Sequence, residues 1–156
     1  MPARLSRTWR WLFRAPVCLY RWRLGRLLGQ RFLLLIHVGR RTGKRRETVL
    51  EVMEYREKGP EAVVMSAWGR NADWLRNIEA VPVAEVVVGT RFAAAHRLLA
   101  IDEASRVVAG YQRRHRLIAP LVRFALGRFA GWPYDGGESA RRRLVAQLPL
   151  VAFRPR

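Results

Sequence analysis

The chain has 156 residues, enough for one domain with a real hydrophobic core and too few for two of ordinary size. It carries 30 Lys and Arg against 12 Asp and Glu, a formal net charge of +18, and Lys44 and Lys58 are its only lysines. A single cysteine, Cys18, excludes an intrachain disulfide and a cysteine-only metal site; His37, His96 and His115 lack metal-type spacing, so no metal centre is expected.

Residues 1–30 place Trp9, Leu12, Phe13, Val17, Tyr20, Leu24, Leu27 and Leu28 three and four apart with arginines between them, an amphipathic helical pattern that Pro16 should interrupt. Rings among guanidinium groups suit an anchor on an anionic membrane surface, and equally a helix packed on its own domain. Arginines break every apolar segment before Gln30, which argues against a signal peptide. The longest apolar run, Phe32–Ile36, falls far short of the roughly 20 residues a spanning helix needs. The expected location is the cytoplasm, with peripheral attachment to the inner membrane face as an option.

Residues 31–156 are expected to form the folded domain. Phe32–Val38 reads as a buried strand, and Glu47–Tyr55, alternating less cleanly, as its hairpin partner. Ala62–Met65 is a third strand and Asn71–Ala80 a short helix, with Asn71 as its N-cap. Glu85–Val88 and Phe92–Leu99 flank Gly89-Thr90 as a second hairpin. A helix capped by Asp102 runs through Tyr111, others cover Pro120–Phe129 and Glu138–Gln147, and Leu150–Phe153 is a terminal strand. About six short strands with helices inserted between hairpins predict an α+β fold built on a small barrel rather than a βαβ series.

Three stretches can carry chemistry. Arg40, Arg41, Lys44, Arg45 and Arg46 surround Thr42-Gly43 in a tight loop whose amides and side chains can converge on an anion, although the upstream glycine and following Ser/Thr of a Walker loop are missing. Ser66 to Asn71 joins a strand end to a helix start, a place for a ligand's polar edge. Trp74 and Asn77 share a helix face, where a ring and an amide can flank a planar ligand, or where a core tryptophan simply packs.

In this order and spacing, residues 33–156 resemble the deazaflavin-dependent nitroreductase family, whose members use coenzyme F420 on a split β-barrel of the FMN-binding kind. The resemblance rests on GRRTGKRRETVL, VVMSAWGRNADWLRNIEAVP, VVVGTRFAAAHRL and the closing LPLVAFRP. It implies that Arg40, Arg41, Thr42 and Arg46, with Lys44 and Arg45 as auxiliaries and Thr48 and Val49 beside them, hold the cofactor's phosphate and oligoglutamate tail. It likewise implies that Met65, Ser66 and Ala67 line the deazaflavin ring, that Trp74 and Asn77 close its far side, and that Ser66 or Tyr134 is the protein's proton donor if water is not.

The implied activity is hydride delivery from reduced F420 to a conjugated or quinone-like apolar acceptor. Ala67, Trp68 and Glu51 replace the lysine, glycine and tyrosine of nitroimidazole-reducing members, so that substrate is not expected. A non-catalytic barrel binding haem, flavin mononucleotide or a fatty acid is the alternative. Specific nucleic-acid binding is not expected, because no recognisable nucleic-acid motif accompanies the charge.

Overall fold

In the computed structural model, which describes residues 30–156, six strands close into one antiparallel barrel. The strands are β1 (Phe32–Val38), β2 (Arg45–Arg56), β3 (Glu61–Met65), β4 (Ala84–Val88), β5 (Thr90–Leu98) and β6 (Leu150–Pro155). Their order around the barrel is β1-β2-β3-β6-β5-β4, with β4 returning to pair with β1. Closure leaves no unpaired sheet edge. Four α-helices accompany it: α1 (Asp73–Ala80), α2 (Ile101–Arg114), α3 (Ala119–Ala130) and α4 (Glu138–Gln147). The amphipathic segment read over residues 1–30 lies outside the described residues except for Gln30. Among the described residues no helix is long and apolar enough to cross a membrane.

The period-two alternation of the strands sorts their side chains into two cores. Leu33, Leu35, Ala62, Val64, Val86, Val88, Val151 and Phe153 pack together inside the barrel, where Trp74, Leu75 and Ile78 of α1 join them. The neighbours Met53, Val63, Leu150 and Ala152 point outward, into a second core with Val107 and Val108 of α2, Val122 and Leu126 of α3, and Leu144 and Val145 of α4. Ala62–Met65 of β3 and Leu150–Phe153 of β6 are therefore apolar on both faces, which is why those stretches run without a polar break. The uneven alternation of β2 has a physical cause too: its register against β3 shifts between Val52 and Glu54, so the inner series steps from Leu50 and Val52 to Tyr55 instead of Glu54.

Two expected helix caps are corrected. The first helix begins at Asp73 after a single 3₁₀ turn, Gly69–Asn71, and its N-cap is Ala72 with no side-chain capping bond. The second begins at Ile101 after Ala100, so Asp102 lies in the first turn, where its carboxylate takes a guanidinium N–H of Arg142.

One ion network ties the barrel to α2. Arg56 and Arg97 both donate to Glu61 (2.7 and 2.9 Å) and to Glu103 (3.0 and 2.8 Å), joining β2, β3, β5 and α2. The hydrogen bonds from Arg97, then those from Arg56, pull the Glu103 carboxyl down to about 2. Because the folded value lies below that of the unfolded chain, the stability it contributes is present above pH about 4.5 and is lost as pH falls toward 2. Thermal melts of the wild-type protein are therefore expected to steepen in their acid dependence across that window. Glu103→Gln should flatten the same window; an unchanged acid slope would contradict the network's role.

Candidate functional site

Between the β1–β2 loop and the N-terminal half of α1 lies a cleft of about 800 Å³. Its cationic wall is Arg40, Arg41, Arg45 and Arg46, its opposite wall runs from Asn71 to Asn77, and Trp68 stands at its side. The loop closes tightly: the Gly39 amide donates to the Lys44 carbonyl (2.9 Å) and the Gly43 amide to the Gly39 carbonyl (2.8 Å). Gly43 adopts φ +65°, a conformation that glycine takes without strain. At Gly39 a Cβ would sit 2.8 Å from Thr42 Oγ1 and 2.9 Å from Arg46 Nε, so the missing side chain is what lets both groups approach the turn.

These bonds occupy two of the three amides expected to form a cradle at residues 42–44. The Gly43 amide is turned onto Gly39, and the Lys44 amide onto Thr42 Oγ1 at 3.3 Å. Any anion here must be held chiefly by side chains.

The cations of the loop divide by what they touch. Arg40 turns toward α1: its amide and its guanidinium both donate to Asn77 Oδ1 (3.1 and 2.8 Å), and the guanidinium pairs with Asp73 at 3.0 Å. Arg45 pairs with Glu47 at 3.0 Å. Among the described residues no carboxylate forms an ion pair with Arg41, Lys44 or Arg46, and all three are exposed. Arg41 and Arg46 in the cleft lining, with Lys44 on the same loop, give the cleft mouth a positive field.

Behind Arg40 lies a buried polar relay. With Asn77 Oδ1 accepting from Arg40, the Asn77 amide nitrogen donates to His37 Nδ1 (3.2 Å). His37 therefore carries its proton on Nε2 and donates it to Thr48 Oγ1 at 3.1 Å. Burial, reinforced by the neighbouring Arg46 cation and partly opposed by Asp73, pushes the imidazole below its ordinary 6.5, so it is neutral at pH 7. The Thr48 hydroxyl, having accepted from His37, keeps its own proton for a ligand in the cleft. The sequence places His37 only among histidines without metal-type spacing, yet a signal of a site role was there: it continues the inward-pointing series Leu33, Leu35, His37 at the end of β1 nearest the loop.

Of the residues expected at a site, the structure brings Arg40, Arg41, Thr42, Arg46, Thr48, Trp74 and Asn77 to one cleft. Lys44 stands on the same loop. Trp74 is mostly core, packed against Phe153 with ring centroids 6.3 Å apart, and shows only an edge to the cleft. Val49, Met65, Ser66 and Ala67 do not line the cleft. Ser66 is fully buried and its hydroxyl donates to the Gly69 carbonyl at 2.6 Å. Tyr134 sits in the outer core, donates to Gln112 at 2.5 Å, and burial pushes its phenol up to about 12. Glu51 is exposed on β2 and accepts from the Tyr111 hydroxyl at 2.7 Å. Trp68, half exposed on the cleft's side, was noted in the sequence only as a departure from the family pattern.

Asn77 carries this arrangement, because it serves Arg40 and His37 at once from a position only 3% exposed. Asn77→Leu should leave both the Arg40 amide and His37 Nδ1 without partners, costing about 1–3 kcal/mol for each group that stays buried. Denaturant unfolding measures this, and a loss below half a kilocalorie would contradict it. Since the folded imidazole pKa is depressed, the stability tied to neutral His37 is complete above pH about 6.5 and declines as pH falls below it. In the wild-type protein the ¹⁵N shifts of His37 should report the Nε2–H tautomer at pH 7.

Two solved structures share this fold. A protein of unknown function from Agrobacterium tumefaciens is 14% identical, with 85% of this chain and 52% of that chain covered and a TM-score of 0.53. A conserved hypothetical protein from Mycobacterium tuberculosis is 13% identical, with 81% and 73% covered and a TM-score of 0.51. The structure of an F420H2-dependent reductase, FDR-A, aligns at 19% identity over 81% of this chain and 96% of that one, with a TM-score of 0.46. No protein of curated function matches the chain. Residues 12–118, well over half of the sequence, match the F420H(2)-dependent quinone reductase family, and the chain belongs to that family.

Proposed function

We propose that the protein is an F420H2-dependent reductase that passes hydride to a conjugated or quinone-like apolar acceptor, and that the cleft between the β1–β2 loop and α1 holds the coenzyme. The observation that carries this reading is the division of the loop's cations. Arg40 is committed to Asn77 and Asp73, whereas Arg41 and Arg46 line the cleft, with Lys44 between them in sequence, and no carboxylate among the described residues is paired to any of the three. Like charges placed this close repel one another unless an anion lies between them. A phosphate and a string of glutamate carboxylates supply that anion, and arginine forks match both.

The residues present fit the coenzyme in three further respects. The cleft is large enough for a tricyclic ring. Trp68 and the edge of Trp74 provide apolar walls, and Thr48 offers one hydroxyl proton whose direction the buried relay fixes. When bound in reduced form, a deazaflavin supplies a hydride rather than single electrons, because carbon stands where flavin has its reactive nitrogen. The chain's own part is to bind, orient and shield. Arg41, Lys44 and Arg46 neutralise the anionic appendage, Arg40 and Asn77 hold the loop against α1, and Trp68 narrows the side of the cleft.

Reduction of a quinone to a hydroquinone takes that hydride and one proton. The hydroxyls of Ser66 and Tyr134 are already donated to Gly69 and Gln112, so water entering the open cleft is the proton source this reading favours.

Titration with the coenzyme, followed by tryptophan quenching, tests the assignment. Arg41→Ala and Arg46→Ala should each weaken binding by about 1.5–3 kcal/mol, the range for a hydrogen bond to a charged group. Wild-type affinity in both variants would remove the loop from the binding site.

A further inference from the structure

We propose that the outer face of α3, with the turn before it, docks on the surface of an anionic lipid bilayer. α3 buries Val122, Leu126 and Ala130 against the outer core. Leu121 and Phe124 lie on the opposite side of the helix and are 62% and 69% exposed, and Leu117 and Ile118 of the preceding 3₁₀ turn extend the same patch at 93% and 48%. A surface helix ordinarily turns polar residues outward. This one is apolar on both sides, so its outer face needs a partner of its own.

Charge decides which partner. From Ala104 to Tyr134 there is no acidic residue, while Arg106, Arg113, Arg114, Arg116, Arg123 and Arg128 supply six cations. A second copy docked face to face would set arginine against arginine. Residues 1–29, with seven arginines and no Asp or Glu, would bring further cations to a face that already has six and no acid to pair with them. An anionic bilayer satisfies both halves of the pattern: the acyl boundary takes Leu117, Leu121 and Phe124, and lipid phosphates take the flanking guanidinium groups.

The patch also reaches the cleft. Phe129, at the end of α3, packs against Trp68 with ring centroids 5.7 Å apart, and Trp68 lines the cleft. The docking itself does not depend on the reading of the cleft.

The full chain carrying Cys18→Ser and Phe124→Cys, labelled with bimane at position 124, tests the proposal. Bimane emission is expected to be water-like in buffer, to shift blue on vesicles of equimolar phosphatidylcholine and phosphatidylglycerol, and to stay unshifted on pure phosphatidylcholine. The unlabelled double variant Leu121→Asp/Phe124→Asp should lose about tenfold or more in co-sedimentation with the anionic vesicles, as removal of two inserted side chains requires. Blue emission already in buffer would mean that the chain itself or a second copy covers the face. Co-sedimentation without a blue shift would mean that binding occurs elsewhere, and an equal shift on neutral vesicles would mean that the arginines take no part. Each of these three results overturns the proposal.

Discussion

The side-chain amide of Asn77 is the constraint on which the cleft depends. It sits on α1, buried, and its two ends face different tasks: the oxygen takes the Arg40 amide and guanidinium from the loop, and the nitrogen fixes the tautomer of His37 on β1. A single planar group therefore sets the distance between loop and helix, the direction of the His37 proton and the state of the Thr48 hydroxyl. By holding Arg40 to the helix it also separates one structural cation from the three left at the rim. The selectivity of the positive charge thus arises from a neutral residue.

The barrel makes that arrangement rigid. Because α1 inserts Leu75 and Ile78 into the inner core while presenting Asn77 to β1, the helix cannot shift without disturbing the residues packed between the strands. β1 carries the cleft at one end; it pairs with β2 along its whole length and with β4 at Leu34, Leu35 and Ile36, just before His37. The outer core has a different role. It supports α2, α3 and α4, and it leaves one side of α3 uncovered beside Trp68. The proposed ligand grip and the proposed surface attachment fall on different elements, with the Trp68–Phe129 contact between them.

Much of the barrel was legible in the sequence because strand periodicity and turn residues are local signals. The bounds of β1 and α4 agree with expectation residue for residue, whereas β2 begins at Arg45 instead of Glu47, so the last two cations of the basic stretch open the strand. What the sequence concealed were pairings across long separations. Arg40 reads like its neighbours until α1, 37 residues away, supplies Asn77 and Asp73. Likewise, nothing local marks Glu61 and Glu103 as shared partners of Arg56 and Arg97, since four separate elements must first assemble. Of the residues that the resemblance groups together, those of the loop and α1 meet in the cleft, whereas Met65 and Ser66, at the end of β3, face the outer core and the following turn.

The central claim is electrostatic: the rim cations grip an anionic appendage, while the ring contributes contacts of another kind. Calorimetric titration of intact F420 and of its tail-less deazaflavin chromophore, each at low and high salt, separates the two most directly. The account predicts tight binding of the intact coenzyme that weakens steeply as salt screens the rim, and much weaker, salt-insensitive binding of the chromophore alone. Equal affinities with equal salt dependence would contradict it.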